Sequence, residues 1–144
     1  MIKDVDPERL QRFINVVRES VSNLRELGSL SEAEFYSDKH KQGSAKYNFI
    51  VAIEAAIDLA SHVISRKALR APEDYADTFK VLTEAGVLGS GFASELEKMA
   101  RFRNRLVHLY WDVDVREIWK ILQTRLNDFE QYITNVGTYL GAHF

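Results

Sequence analysis

One segment limits the possible folds of this chain more than any other: Tyr47-Asn-Phe-Ile-Val-Ala-Ile-Glu-Ala-Ala-Ile-Asp-Leu-Ala-Ser-His-Val-Ile64. Wound as a helix it is apolar on nearly every side, so it must be covered from all directions. A chain of 144 residues does that by wrapping further helices around it. The expected fold is therefore all-α, a compact four- to five-helix up-and-down bundle with this segment at its centre. Glu54, Asp58 and His62 interrupt the apolar surface as one polar stripe at i, i+4 and i+8.

The remaining elements are read from their ends. Two prolines and seven glycines, with apolar residues recurring every three or four positions, leave room for little but helix. Asp6 before Pro7 is an N-cap followed by proline at the first helical position, and Leu10, Phe13, Ile14, Val17, Val21, Leu24 and Leu27 form one stripe to about residue 27. Ser31-Glu-Ala-Glu34 has capping-box spacing and starts a second helix. Gly43-Ser44 is expected to interrupt or kink it before it resumes through Tyr47 to about Lys67. Pro72 opens a shorter helix through Tyr75, Phe79 and Leu82, which the Gly86–Gly91 linker closes. A fourth helix covers about 92–110. Asp114, with Glu117 in the third helical position, caps a single last helix carrying Val115, Ile118, Trp119, Leu122, Leu126, Phe129, Ile133 and Val136. No repeats, low-complexity tracts or convincing strands are present, and one domain spanning 1–144 is expected.

Composition excludes whole classes of chemistry. With no cysteine there are no disulfides, thiolate metal sites or cysteine nucleophiles, which fits a reducing compartment. The start, Met1-Ile-Lys-Asp-Val-Asp-Pro-Glu8, is too acidic for a secretory signal, and no stretch approaches the ~20 consecutive apolar residues of a membrane span. A cytoplasmic protein without membrane attachment is expected. No Gly-rich phosphate loop, Gly-x-Ser-x-Gly or His-Glu-x-x-His occurs, so P-loop, serine-hydrolase and zinc-protease readings have no support, and no cofactor is expected. The formal charge of −2 means that any polyanion site must be local.

Such a site stands at Arg101-Phe-Arg-Asn-Arg-Leu-Val-His-Leu-Tyr110. From Lys98 to His108 there are four positive charges and no acid, with Glu95, Glu97, Asp112 and Asp114 flanking the run. Arginine forks suit phosphate, and histidine exchanges protons near neutrality, so the pair fits phosphodiester chemistry. On an ideal helix Arg103 and Tyr110 share one stripe and Asn104 and His108 a neighbouring one, while Arg103 and His108 stand about 140° apart. A shared ligand then needs long side chains or two chains. A plainer reading is also open: basic residues in a helix's last turns complement its dipole over Leu106, Val107, Leu109 and Trp111. Chance decides between them in part. An Arg five residues before a His with a Tyr two residues after it is expected only about 0.01 times in such a chain.

The acidic stripe has two readings as well. Glu54, Asp58 and His62 lack the Glu-x-x-His spacing of carboxylate-bridged bundle sites, so no metal site is expected. Buried acids need partners, and these carboxylates are expected to pair with Arg101, Arg103 or Arg105 across the bundle or a dimer interface. His40, within Asp38-Lys-His-Lys41, is expected in a mobile charged stretch, and His143 in the tail.

Arg103-x4-His108-x-Tyr110, in the form "FRNRLVHLYWDVD" preceded by "NFIVAIEAAIDLASHVI", resembles the HepT-like branch of the HEPN superfamily. The resemblance covers the chain from about Tyr47 to the last helix. It implies a homodimeric helical bundle that acts as the toxin of a toxin–antitoxin pair, with metal-independent endoribonuclease activity on RNA. It also implies a partner, a minimal nucleotidyltransferase antitoxin of the MNT type, which places AMP groups on the motif tyrosine. By motif position Arg103 and His108 would be the catalytic pair, Asn104 their polar companion and Tyr110 the AMP acceptor, with Arg101, Arg105, Glu54 and Asp58 in support. Two copies of Arg103 and His108 in one dimer cleft would supply an acid and a base from different subunits. The rival readings are a non-catalytic helical module binding a nucleotide or a nucleotidyltransferase, and a purely structural dimerisation protein.

Overall fold

A computed structural model describes residues 4–144; Met1–Lys3, part of the acidic start, lie outside the described residues. The described chain is all-helical: α1 (Pro7–Gly28), α2 (Glu32–Tyr36), α3 (Lys39–Arg66), α4 (Tyr75–Glu84), α5 (Ser90–His108), α6 (Val115–Thr124) and α7 (Asn127–Leu140), with a 3-10 turn at Tyr110–Asp112. No strand occurs among the described residues.

The apolar segment sits at the centre, as its composition requires. α3 packs against α1, α2, α4, α5 and α6, and from α7 the buried Tyr132 hydroxyl donates to the Ala56 carbonyl at 2.7 Å. Phe49, Ala52, Leu59, Ala60 and Val63 are fully buried. By length and mean hydropathy (1.4) α3 is apolar enough to cross a membrane, which amends the expectation that no stretch comes near a span; 67% of that apolar window is buried inside the protein.

Five of the seven helix starts, those of α1, α2, α3, α4 and α6, carry side-chain caps. Asp6 caps α1, accepting from the Glu8 and Arg9 amides at 3.1 and 3.2 Å, and Ser31 with Glu34 forms the capping contact at 3.1 Å. Gly43-Ser44 does not break a helix. The break lies at Ser37-Asp38, where the Asp38 carboxylate accepts from the His40 and Lys41 amides at 2.9 and 3.2 Å. His40 thus belongs to the first turn of α3, not to a mobile stretch. One glycine costs a helix only about 1 kcal/mol, and the packing of α3 overrides it. Nor does Pro72 open α4: the helix begins at Tyr75, capped by Asp74, whose carboxylate accepts from the Asp77 amide at 2.7 Å.

The last helix is two. Arg125 (φ −121°, ψ 1°) turns the chain between α6 and α7. The turn lets Phe129, Tyr132, Ile133 and Val136 enter the core, where α7 packs on α1. Phe79 and Tyr132 meet edge-on at 5.7 Å, tying α7 to α4. α2 is held against α6 by Trp119, whose ring lies 5.4 Å from Phe35 and 6.4 Å from Tyr36.

Candidate nucleic-acid site on α5

The rotation of α5 is set by its apolar face. Leu96, Met99, Ala100, Phe102 and Leu106 are buried, and Phe102 stacks edge-on against Phe49 of α3 at 5.5 Å. Arg103 stands about 60° from Leu106 around the helix, close enough to the core that its side chain is only 13% exposed. His108 projects about 140° from Arg103 and is exposed.

A half-buried guanidinium needs partners, and three elements supply them. From α3, Glu54 Oε1 accepts from Arg103 Nε at 3.1 Å and from Nη2 at 2.5 Å. Asn104 Oδ1 accepts from Nη1 at 3.1 Å, and the Tyr75 ring at the start of α4 lies 5.0 Å from the guanidinium carbon. Three of the five N–H donors of the fork are thereby engaged. The two left, one on Nη1 and one on Nη2, have no hydrogen-bond partner among the described residues.

The other expected partners separate. Arg105 pairs with Glu117 of α6 through two bonds of 2.8 and 2.9 Å, and those bonds raise its pKa against the opposing effect of burial. Arg101 is exposed. Asp58 does not reach the α5 arginines. It lies in a cleft with Arg9, Phe13, Ser61, His62 and Arg66, where loss of solvent raises its carboxyl pKa, Glu54 adds to the rise and Arg9 opposes it. His62 is buried and its Nε2 accepts from the Asp6 amide at 3.0 Å. Burial lowers its pKa, Arg66 and Arg9 lower it further, and Asp6 opposes them. The polar stripe therefore splits between two jobs: Glu54 holds Arg103, and His62 holds the N-cap residue of α1. Within the chain Asp58 and Arg105 do not pair as expected, because α1 brings Arg9 to Asp58 and α6 brings Glu117 to Arg105, and Arg101 takes no acidic partner among the described residues.

Tyr110 also departs from its expected stripe. α5 ends at His108, and Leu109 (φ −133°, ψ 39°) leaves helical conformation. Tyr110 and Trp111 then lie in the 3-10 turn, their rings edge-on at 5.3 Å and 60% and 70% exposed. Lys46 of α3 secures the turn by donating to the Tyr110 carbonyl at 3.3 Å. Tyr75 and Lys46 were not legible as neighbours of the motif, and Trp111, which the plainer reading placed beneath the basic residues, stands exposed in the turn instead.

Fold and site together define an all-helical protein in which a helix carrying Arg103 and His108 ends in an exposed aromatic turn that begins with Tyr110. The profile of the family described as "Ribonuclease HepT-like" matches residues 17–136, and the chain belongs to that family. It is 31% identical over 101 residues to the mRNA nuclease HepT of Shewanella oneidensis, covering 70% of this chain and 76% of the relative. To the tRNA nuclease HepT of Aphanizomenon flos-aquae it is 22% identical over 140 residues, 95% of this chain and 93% of that one. The fold is similar to that of the tri-AMPylated Shewanella oneidensis HEPN toxin in complex with an MNT antitoxin, with a TM-score of 0.86 at 24% identity over 92% of this chain and 99% of the other.

Proposed function

We propose that this chain is a metal-independent endoribonuclease toxin, a single helical domain over 1–144 that works in the cytoplasm as a homodimer and is controlled by an MNT-type nucleotidyltransferase. The observation that carries the reading is the pair formed by a fixed arginine and a free histidine. Arg103 is held by Glu54, Asn104 and Tyr75 with two N–H donors unspent, and His108 stands exposed at the end of the same helix.

In this reading His108 removes the proton of a ribose 2′-hydroxyl, whose oxygen attacks the adjacent phosphorus. The P–O5′ bond breaks, leaving a 2′,3′-cyclic phosphate, and the departing 5′-oxygen receives a proton from the second His108 of the dimer. The remaining donors of Arg103 bind the phosphoryl oxygens as their charge grows. Because Arg103 and His108 diverge by about 140° within one chain, a two-fold axis is the simplest way to bring one protomer's histidine to the other's arginine. AMP groups on the exposed Tyr110 would add negative charge and bulk beside His108, blocking approach of RNA phosphate.

The test is cleavage of RNA by the purified protein in excess EDTA, with His108→Ala alongside. Wild-type cleavage and a loss of about 10²–10⁴-fold in the variant are expected. Cleavage that EDTA abolishes would remove the metal-independent mechanism, and equal cleavage by His108→Ala would remove the histidine from it.

A further inference from the structure

A cleft of about 530 Å³ lies not at Arg103 but between α5 and α6, within the ~300–1,000 Å³ range of ligand-holding clefts. These two helices meet only loosely, bridged by Arg105 and Glu117. Met99, Phe102 and Ile121 make an apolar floor. Around it stand Lys98, Arg101, Arg105, Lys120 and Arg125, against two acids, Glu95 and Glu117.

Both acids are already engaged by rim cations. Glu117 takes Arg105, and Glu95 takes Lys98 at 3.2 Å and Arg125 at 3.1 Å. Arg101 and Lys120, both exposed, have no acidic partner among the described residues. Arg125 also pairs with Asp128 just outside the rim at 2.7 Å, so five cations against three acids leave an excess of two positive charges, on a chain whose total is −2. The cleft is also aligned with the motif. Arg101 and His108 are seven residues apart on α5, about 20° from each other around the helix, and both face away from the core.

We propose that the α5/α6 cleft is a strand-binding subsite, holding the sugar–phosphate chain of single-stranded RNA beside His108. An apolar floor takes base faces, and a cationic rim follows the phosphates, which is the general design of single-strand grooves. Double-stranded RNA offers its bases only edge-on in a shallow groove and leaves such a floor unused. The proposal rests on the ribonuclease reading for its substrate. It adds where the strand runs and which cations select for length.

The probe is a fluorescein-labelled single-stranded dodecamer with 2′-O-methyl riboses, which lacks the attacking hydroxyl, titrated against the full chain by anisotropy. Lys120→Glu is expected to weaken binding at least about fivefold at 0.1 M salt and to lower the log–log salt slope by ~0.7, the value of one lost phosphate contact on a single strand. Lys120→Arg should bind like wild type. With cleavable RNA, Lys120→Glu should raise KM for a dodecamer while leaving kcat, and leaving a dinucleotide unaffected. Equal dodecamer affinity in Lys120→Glu overturns the subsite. So does a fall in light-scattering mass in that variant, which would make the cleft a contact between copies. Absence of any cleavage strikes the ribonuclease reading instead, because anisotropy with the inert strand reads the cleft by itself.

Discussion

Arg103 of α5 grips Glu54 of α3 through two nitrogens, with Nη2 2.5 Å from Oε1. The contact joins the helix that carries the basic motif to the central helix of the bundle. It also fixes the orientation of the guanidinium, together with the Asn104 contact, before any ligand arrives.

Glu54→Gln keeps the size of that partner and removes its charge. Because Glu54 is 42% exposed, screening limits the stability loss to about 1 kcal/mol, or roughly 3 °C in Tm. Kinetics are expected to split. A less neutralised Arg103 binds phosphate more tightly, so KM falls, while the looser fork lowers kcat about tenfold. Steady-state assays at matched salt read both constants. An unchanged kcat would mean that Glu54 does no positioning.

His62 makes stability depend on pH. Its folded-state pKa is lowered by burial and by Arg66 and Arg9, and its Nε2 must be unprotonated to accept from the Asp6 amide. A depressed pKa means that the unfolded chain binds the proton more readily, so stability rises with pH. The contribution is complete above the ordinary histidine value of about 6.5 and is lost as pH falls through the lowered folded value. Asp58, whose carboxyl is raised in the same cleft, acts with the opposite sign, but in the lower carboxylate range. Urea midpoints between about pH 5.5 and 7.5 should therefore fall on acidification. His62→Gln, which retains an acceptor, should flatten that slope; an equal slope in the variant would place the titrating group elsewhere.

Gly137 is where α7 has no room for a side chain. A Cβ there would lie 2.8 Å from the Ala142 carbonyl oxygen and 3.3 Å from the Phe144 ring. The Ala142 amide returns to the Gly137 carbonyl at 2.8 Å, past Gly141 at φ 71°. Gly137→Ala is expected to cost about 1–3 kcal/mol by overpacking, despite alanine's better helix propensity. Denaturant unfolding measures it, and a stabilised variant would show that the C-terminal turn moves aside freely.

Tyr110 separates modification from catalysis. Its ring is 60% exposed in the turn beyond α5, so Tyr110→Phe should leave folding within about 0.5 kcal/mol of wild type. In the proposed pair, a cognate MNT-type nucleotidyltransferase supplied with ATP should silence wild type and not Tyr110→Phe. Mass spectrometry reads the added AMP. Silencing of the variant with AMP attached at another residue would move the acceptor away from Tyr110.

What the sequence determined by itself was local. Periodicity placed the apolar faces, and the Tyr47–Ile64 segment demanded cover on all sides, which α3 receives; Asp6-Pro7 and Ser31-x-x-Glu34 marked helix starts where they occur. The angle between Arg103 and His108 also follows from helix geometry alone. Tertiary structure decided the rest. Glu54 finds Arg103 across 49 residues of chain, whereas Asp58, one turn further along, has Arg9 for a neighbour and His62 takes the Asp6 amide. No spacing rule distinguishes those outcomes, because they depend on which helix lies against each turn of α3. The helix breaks at Asp38 and Arg125 belong to the same class. Gly43 costs too little to end a helix whose burial is worth more, and Arg125 turns because α7 gains a core face by leaving the line of α6.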